Sequence, residues 1–360
     1  MSSIRVLVVD DSAFLRRNLP RLLETDADIR VIGTAANGRE AVEMTAKYRP
    51  DVVLLDVLMP VMDGLTALRR IMREAPTPVI IFSSTTYEGT RQTMEALSLG
   101  AVDFLAKPSG PVSLDVGKIR TELIQKVKAA HAAPGAKIPA LSARFSKASS
   151  AMSVNTEKSA QKPFSAGAPR QHIELVAIAA STGGPPAIEF ILENLPGDLP
   201  TGLLIVQHLA EGFSEVLAER LNAVSPLEIK VSGDYEEVRS GVGLLAPAGR
   251  HLTVKRIDGK IYTVLTREPA DALHKPSADV LFFSVAKICA ANACAVIMTG
   301  MGDDGARGIK QIREQGGITI AQDEATSLIF GMPKAAIEAG GIDIVSPLEK
   351  IPDQIIKALR

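Results

Sequence analysis

Three residues in the second half of the chain could together attack an acyl carbon. Ser181 follows the apolar run Leu175-Val176-Ala177-Ile178-Ala179-Ala180 and precedes Thr182-Gly183-Gly184-Pro185-Pro186. His208 follows the apolar run 202–207. Asp303 and Asp304 stand in Thr299-Gly300-Met301-Gly302-Asp303-Asp304-Gly305, after the run 293–298. A serine hydroxyl is a weak nucleophile without an adjacent base, and a histidine base needs a carboxylate to orient it. Of the five histidines, His208 has the best placement for the base. His131 and His172 lie away from these runs, and His251 and His274 read as loop residues with solvated or substrate-contacting roles. Spacing alone does not choose between Asp303 and Asp304. Taken singly, Ser181 also reads as a helix N-cap and His208 as a structural histidine.

The serine turn has further chemistry in it. Glycines let backbone N–H groups approach a ligand closely, and a helix N-terminus favours a developing negative charge. Thr182 and Gly183 therefore read as part of a substrate loop with an oxyanion hole. The order Ser, His, Asp differs from the Ser, Asp, His order of α/β-hydrolases. Ala179 also stands where their Gly-x-Ser-x-Gly motif begins, so that class is disfavoured.

A second set lies near the start. Asp10 and Asp11 follow Val6-Leu7-Val8-Val9, Asp56 follows the run 51–55, Ser83 ends the run 79–82, and Lys107 follows the run 101–106. Three carboxylates that converge bind Mg²⁺, a hard cation that takes oxygen ligands. One carboxylate can act as nucleophile toward a phosphoryl group, and Lys107 can pair with the added charge. Any one of these residues alone could merely cap a helix, but five matching strand ends make that improbable together.

Such convergence requires strands that run the same way. In both halves short apolar runs alternate with helical patterns, which predicts parallel sheets with crossover helices. The first half has five such β/α alternations. The second is mostly parallel α/β with a hairpin about Asp258-Gly259. The fold class is therefore two doubly wound α/β domains, a flavodoxin-like one followed by a Rossmann-like one with a β-hairpin. Between them lies a stretch rich in Ala, Ser, Lys, Pro and Gly, without hydrophobic period apart from a transient helix near 141–145. It reads as a flexible linker long enough to let the domains dock or separate. The expected division is 1–131, linker 132–170 and 171–360.

Composition excludes other classes. The 360 residues carry 40 basic and 41 acidic side chains, a net charge of −1, which argues against a nucleic-acid partner. Aromatic content is 4 % with no Trp, too little for a stacking platform for sugars or bases. Cys289 and Cys294 fit buried small hydrophobes, and a reducing cytoplasm is the expected compartment. No signal peptide or membrane-spanning run is read, so no membrane insertion is expected.

The first set resembles a two-component receiver domain in Val8-Val9-Asp10-Asp11-Ser12, Leu55-Asp56-Val57-Leu58-Met59-Pro60-Val61-Met62-Asp63-Gly64, Ser83 and Lys107-Pro108. The resemblance implies that Asp56 accepts phosphate from a histidine kinase and that Asp10, Asp11 and Asp56 hold Mg²⁺. It also implies that Lys107 contacts the phosphoryl group while Ser83 and Phe104 relay the switch, Phe104 moving inward. The second set resembles the chemotaxis protein-glutamate methylesterase family. The likeness lies in Ser181-Thr182-Gly183-Gly184-Pro185-Pro186, Val206-Gln207-His208 and Pro247-Ala248-Gly249-Arg250-His251. It continues in His274-Lys275-Pro276-Ser277-Ala278-Asp279, residues 299–305 and Phe330-Gly331-Met332-Pro333. This implies a triad of Ser181, His208 and Asp304, with the Met301 N–H at the oxyanion.

The expected function is then a phosphorylation-activated serine ester hydrolase. It would demethylate glutamate methyl esters of methyl-accepting chemoreceptors, deamidate receptor glutamines by the same chemistry, need no cofactor for hydrolysis and act as a monomer. Two alternatives remain: a receiver coupled to a non-catalytic docking domain, and an esterase acting on an unrelated substrate.

Overall fold

A computed structural model describes residues 3–107, 116–133 and 172–360. The chain divides into two compact units, Met1–Ala151 and Met152–Arg360. The segment read as a linker, with its transient helix, lies almost wholly outside the described residues.

In the first unit β1 (Ile4–Val9), α1 (Ala13–Leu23), β2 (Ile29–Ala35), α2 (Gly38–Tyr48), β3 (Val52–Leu55), α3 (Gly64–Glu74), β4 (Val79–Ser83), α4 (Tyr87–Ser98), β5 (Asp103–Ala106) and α5 (Val116–Ala132) alternate strictly. The sheet order is β2-β1-β3-β4-β5, with every pair parallel. The central strands β1, β3 and β4 are buried almost along their whole length, as a parallel sheet covered by helices requires, whereas the edge strand β2 is buried only at its two ends. Polar residues just before the helices close their first turns. Ser12, Asn37, Asp63 and Thr86 accept from the N–H groups of Leu15, Glu40, Thr66 and Gly89. After β2 the chain crosses back over β1 to lay down β3, so the order reverses between β1 and β3. Open α/β sheets place their sites at such a switch point, beyond the carboxyl ends of the strands.

The second unit comprises β6 (Leu175–Ala180), α6 (Gly184–Glu193), β7 (Gly202–Gln207), α7 (Ser214–Val224), β8 (Glu228–Val231), β9 (Val242–Leu245), β10 (His251–Ile257), β11 (Lys260–Thr266), α8 (Ala278–Cys289), β12 (Ala293–Ile297), α9 (Ala306–Glu314), β13 (Ile318–Gln322), α10 (Met332–Glu338), β14 (Ile344–Ser346) and α11 (Ile351–Ala358). Seven strands form one parallel sheet in the order β14-β13-β12-β6-β7-β9-β8. Here the order reverses between β6 and β12, the strands that end at Ala180 and Ile297. β10 and β11 pair antiparallel through a turn whose Asp258 and Gly259 have φ of 47° and 81°. Leu252, Val254 and Ile261 of this hairpin join Phe282 and Val285 of α8 in one buried cluster.

The architecture agrees with the sequence reading, with one local correction. His251 is no loop residue: it opens β10 and is fully buried. The C-terminal elements α10, β14 and α11 had no counterpart in the sequence reading.

Candidate active site

Parallel pairing puts Ser181 and His208 side by side. Ala180 on β6 is the register partner of Gln207 on β7, and each catalytic candidate is the next residue along. The His208 N–H donates to Ala180 O at 3.1 Å. The Gln207 side-chain amide, buried beneath them, donates to both Ser181 O (2.9 Å) and His208 O (3.1 Å). On the other side β12 closes in. The Ser181 N–H donates to Thr299 O at 3.0 Å, and Thr299 Oγ1 donates to Thr182 O at 2.9 Å. Gly300 presses on the serine so closely that an added Cβ would lie 2.8 Å from Ser181 Cβ. Gly183 turns the chain into α6 with φ of 76°, a left-handed conformation that favours glycine.

Asp304 meets His208 from the loop after β12. Its Oδ2 lies 2.8 Å from His208 Nε2. The rest of that carboxylate is held by the start of α8: Ser277 Oγ donates to Oδ1 (2.7 Å), Ala278 N to Oδ2 (2.7 Å) and Asp279 N to Oδ1 (3.1 Å). Burial alone would push its pKa up. The His208 contact and the donors from Ser277 and Ala278 outweigh that and hold it well below the usual carboxylate range. An anion at a helix N-terminus also meets the positive end of the helix dipole. Asp303 is exposed, and Asp304 is the one of the pair that the structure brings to His208.

His208 Nδ1 is buried and has no hydrogen-bond partner among the described residues. With Nε2 turned to a carboxylate, the neutral imidazole carries its proton there and leaves the Nδ1 lone pair as the available base. The Met301 N–H has no acceptor among the described residues, which leaves it available to an incoming oxyanion.

The supporting groups were not singled out from sequence. Ser277, Gln207 and Thr299 each stand inside a motif quoted above, but only tertiary structure reveals that they tie the catalytic loops together. His251 supports Ser277 in turn, its Nδ1 accepting from the Ser277 N–H at 3.2 Å. Burial lowers the His251 pKa, in keeping with a neutral acceptor. Asp279 accepts from Gly308 N (2.8 Å) and Arg307 Nε (3.0 Å), which pins the start of α8 to α9.

The first unit gathers its own set. Carboxylate oxygens of Asp10, Asp11 and Asp56 lie within 4.8 Å of one another. Lys107 Nζ stands 2.9 Å from Asp10 Oδ2 and 2.8 Å from Asp56 Oδ2. Burial pushes the Asp56 pKa up to about 6, against the opposing pull of Lys107. An all-oxygen, acidic donor set of this size fits a hard divalent cation such as Mg²⁺. Ser83 Oγ donates to Gly89 O at 3.2 Å, so it must leave that bond to reach a new anion. Phe104 is already buried, with Lys126 Nζ 5.6 Å from its ring centre, so the inward move expected of it has no exposed starting position here.

Comparison with known proteins places each unit in a family. Residues 176–355 match the CheB methylesterase family, and residues 6–116 match the response regulator receiver domain. A protein-glutamate methylesterase/protein-glutamine glutaminase of Geobacillus kaustophilus is 45 % identical over 360 residues, covering 100 % of this chain and 99 % of its own. A relative with the same description from Pyrococcus horikoshii is 44 % identical, over 99 % of this chain and 94 % of its own. The crystal structure of the Thermotoga maritima CheB methylesterase catalytic domain superposes with a TM-score of 0.50 at 39 % identity. It covers 51 % of this chain and 97 % of that one. Among the described residues, no helix is long and apolar enough to cross a membrane.

Proposed function

The chain belongs to the CheB methylesterase family, with a response regulator receiver domain ahead of the catalytic one, and from that footing we propose that Ser181, His208 and Asp304 carry out its hydrolysis. The protein is a chemotaxis methylesterase that cleaves glutamate methyl esters. The assignment of residues rests on one observation above all: the 2.8 Å contact of His208 Nε2 with Asp304, made on the strand end beside Ser181.

Ser181 Oγ attacks the ester carbonyl carbon while His208 Nδ1 takes the hydroxyl proton. The Nε2–H stays on Asp304, which remains ionised and balances the imidazolium. The Met301 N–H receives the oxyanion of the tetrahedral intermediate, with Thr182 and Gly183 completing the substrate loop. Collapse breaks the bond to the methoxy group, which takes the proton from Nδ1 and leaves as methanol. Water, deprotonated by Nδ1, then attacks the acyl carbon; the bond to Ser181 Oγ breaks, Oγ takes the proton back from Nδ1, and the glutamate side chain is released. The same attack on a glutamine side chain releases ammonia in place of methanol.

In the receiver, Asp56 accepts the phosphoryl group from a histidine kinase. Asp10, Asp11 and Asp56 would hold Mg²⁺, which when bound supplies positive charge opposite the phosphoryl oxygens. Lys107 pairs with the new anion, and Ser83 and Phe104 respond to it. The substrates are methyl-accepting chemoreceptors, met in the cytoplasm. A non-catalytic docking domain would have no use for a serine set beside a histidine whose Nδ1 is left without a partner. The test is release of labelled methanol from methylated receptor membranes, with and without acetyl phosphate and Mg²⁺. No release under either condition would defeat the proposal.

A further inference from the structure

The ring of His274 lies face to face with the ring of His208, with centroids 4.0 Å apart and planes 18° from parallel. The segment that carries it is anchored beside it. Lys275 O accepts from Gly249 N at 3.0 Å, Lys275 Nζ donates to Ala270 O at 2.7 Å, and the Ser277 N–H donates to His251 Nδ1 at 3.2 Å. His274 is therefore presented from a fixed stretch of backbone.

His208 needs such a neighbour. Its one side-chain hydrogen bond, from Nε2 to Asp304, acts in the plane of the ring and fixes where that edge sits. It resists poorly a tilt of the ring about the Cβ–Cγ bond, because Nδ1 has no partner to hold the opposite edge. Such a tilt would swing Nδ1 out of line with an attacking hydroxyl. A flat ring stacked at van der Waals distance supplies the missing constraint, since any tilt drives the edge of His208 into the face of His274.

We infer that His274 is a positioning residue for the hydrolysis: by stacking on His208 it holds the plane of the imidazole and keeps Nδ1 aimed at Ser181. This rests on the reading of His208 as the base. The contact requires a flat ring and not an ionisable one, so phenylalanine should replace histidine and alanine should not.

The experiment uses the full chain with acetyl phosphate and Mg²⁺, reading methanol release from methylated receptor membranes. His274→Ala should lower kcat about tenfold, the cost of a small misplacement of a catalytic group, with KM little changed. His274→Phe should restore kcat to within about threefold of wild type. Acylation by an activated ester is then measured in a His208→Ala background, where residual catalysis persists. There, adding His274→Ala should cost nothing further, because a residue that acts through His208 has nothing left to act on. Three results overturn the inference: wild-type kcat in His274→Ala, a Phe variant as impaired as the Ala variant, or an undiminished loss in the His208→Ala background. Wild-type kcat in His208→Ala itself is a different failure, which removes His208 as the base and this inference with it.

Discussion

His208 turns its Nε2, not its Nδ1, to Asp304, at 2.8 Å. The proton of the neutral ring is thereby committed to the carboxylate side, and the buried Nδ1 is the ring nitrogen left with a lone pair to offer. Serine proteases of the chymotrypsin type use the opposite nitrogen for each task. The two strand ends bring serine and histidine together, and α8 and the loop after β12 then set the tautomer.

Ser181→Ala and His208→Ala should each lower kcat for methanol release by about 10⁴-fold or more. The double variant should be little worse than either single one. Multiplying losses would mean that the two residues do not act as a unit.

Asp304 gives a pH test. Its pKa in the fold lies below the value near 3.8 that it has when unfolded. The stability it contributes is therefore complete above that value and is lost progressively as pH falls below it. Asp304→Asn should melt below wild type at neutral pH, and the gap should narrow once the pH drops under about 4. Thermal melts across the acid range check this, and a gap that widens toward acid would contradict it.

Ser277→Ala removes the donor to Asp304 Oδ1 and the side chain that accepts from Val280 N at the start of α8. A loss of about 1–2 kcal/mol in urea unfolding is expected from the missing cap and hydrogen bond. The value of kcat should fall about tenfold as Asp304 loosens. Full activity would show that the backbone N–H groups of Ala278 and Asp279 suffice.

Gly300→Ala tests the pressure of the loop after β12 on the nucleophile. The new methyl group would meet Ser181 Cβ at 2.8 Å and also the Met332 side chain. Ser181 must shift, and kcat should fall by about 100-fold, the scale set by displacements near 1 Å. Rapid acylation by an activated ester in this variant would show that the serine tolerates the shift.

Asp56→Asn removes the acceptor but keeps its shape. Methanol release without phosphodonor should stay near wild type, and stimulation by acetyl phosphate with Mg²⁺ should vanish. Stimulation as strong as in wild type would mean that Asp56 is not the switch.

The chemistry was legible in the sequence where a polar residue directly follows a buried apolar run. Asp10, Asp56, Ser181 and His208 all stand there, because a parallel sheet gathers strand ends on one edge. What joins distant segments was not legible. Asp304, and not Asp303, meets His208 at the start of α8, where Ser277 Oγ and the N–H groups of Ala278 and Asp279 hold its carboxylate. His251 follows Gly249-Arg250 and so looks like part of a turn, yet the Pro269–Ser277 stretch folds over it and buries it. β14 is three residues long, too short for its period to stand out from a loop.

Asp304 also closes the first turn of α8, accepting the N–H groups of Ala278 and Asp279. With hydrolysis proposed to depend on it as well, natural selection cannot treat it as a catalytic residue alone. A descendant relieved of hydrolysis could drift freely at Ser181, but loss of Asp304 would still expose the helix start and be penalised through folding. Inactive offshoots of this lineage should thus shed the nucleophile first and keep the aspartate longest, a fossil of the enzyme preserved by its architecture.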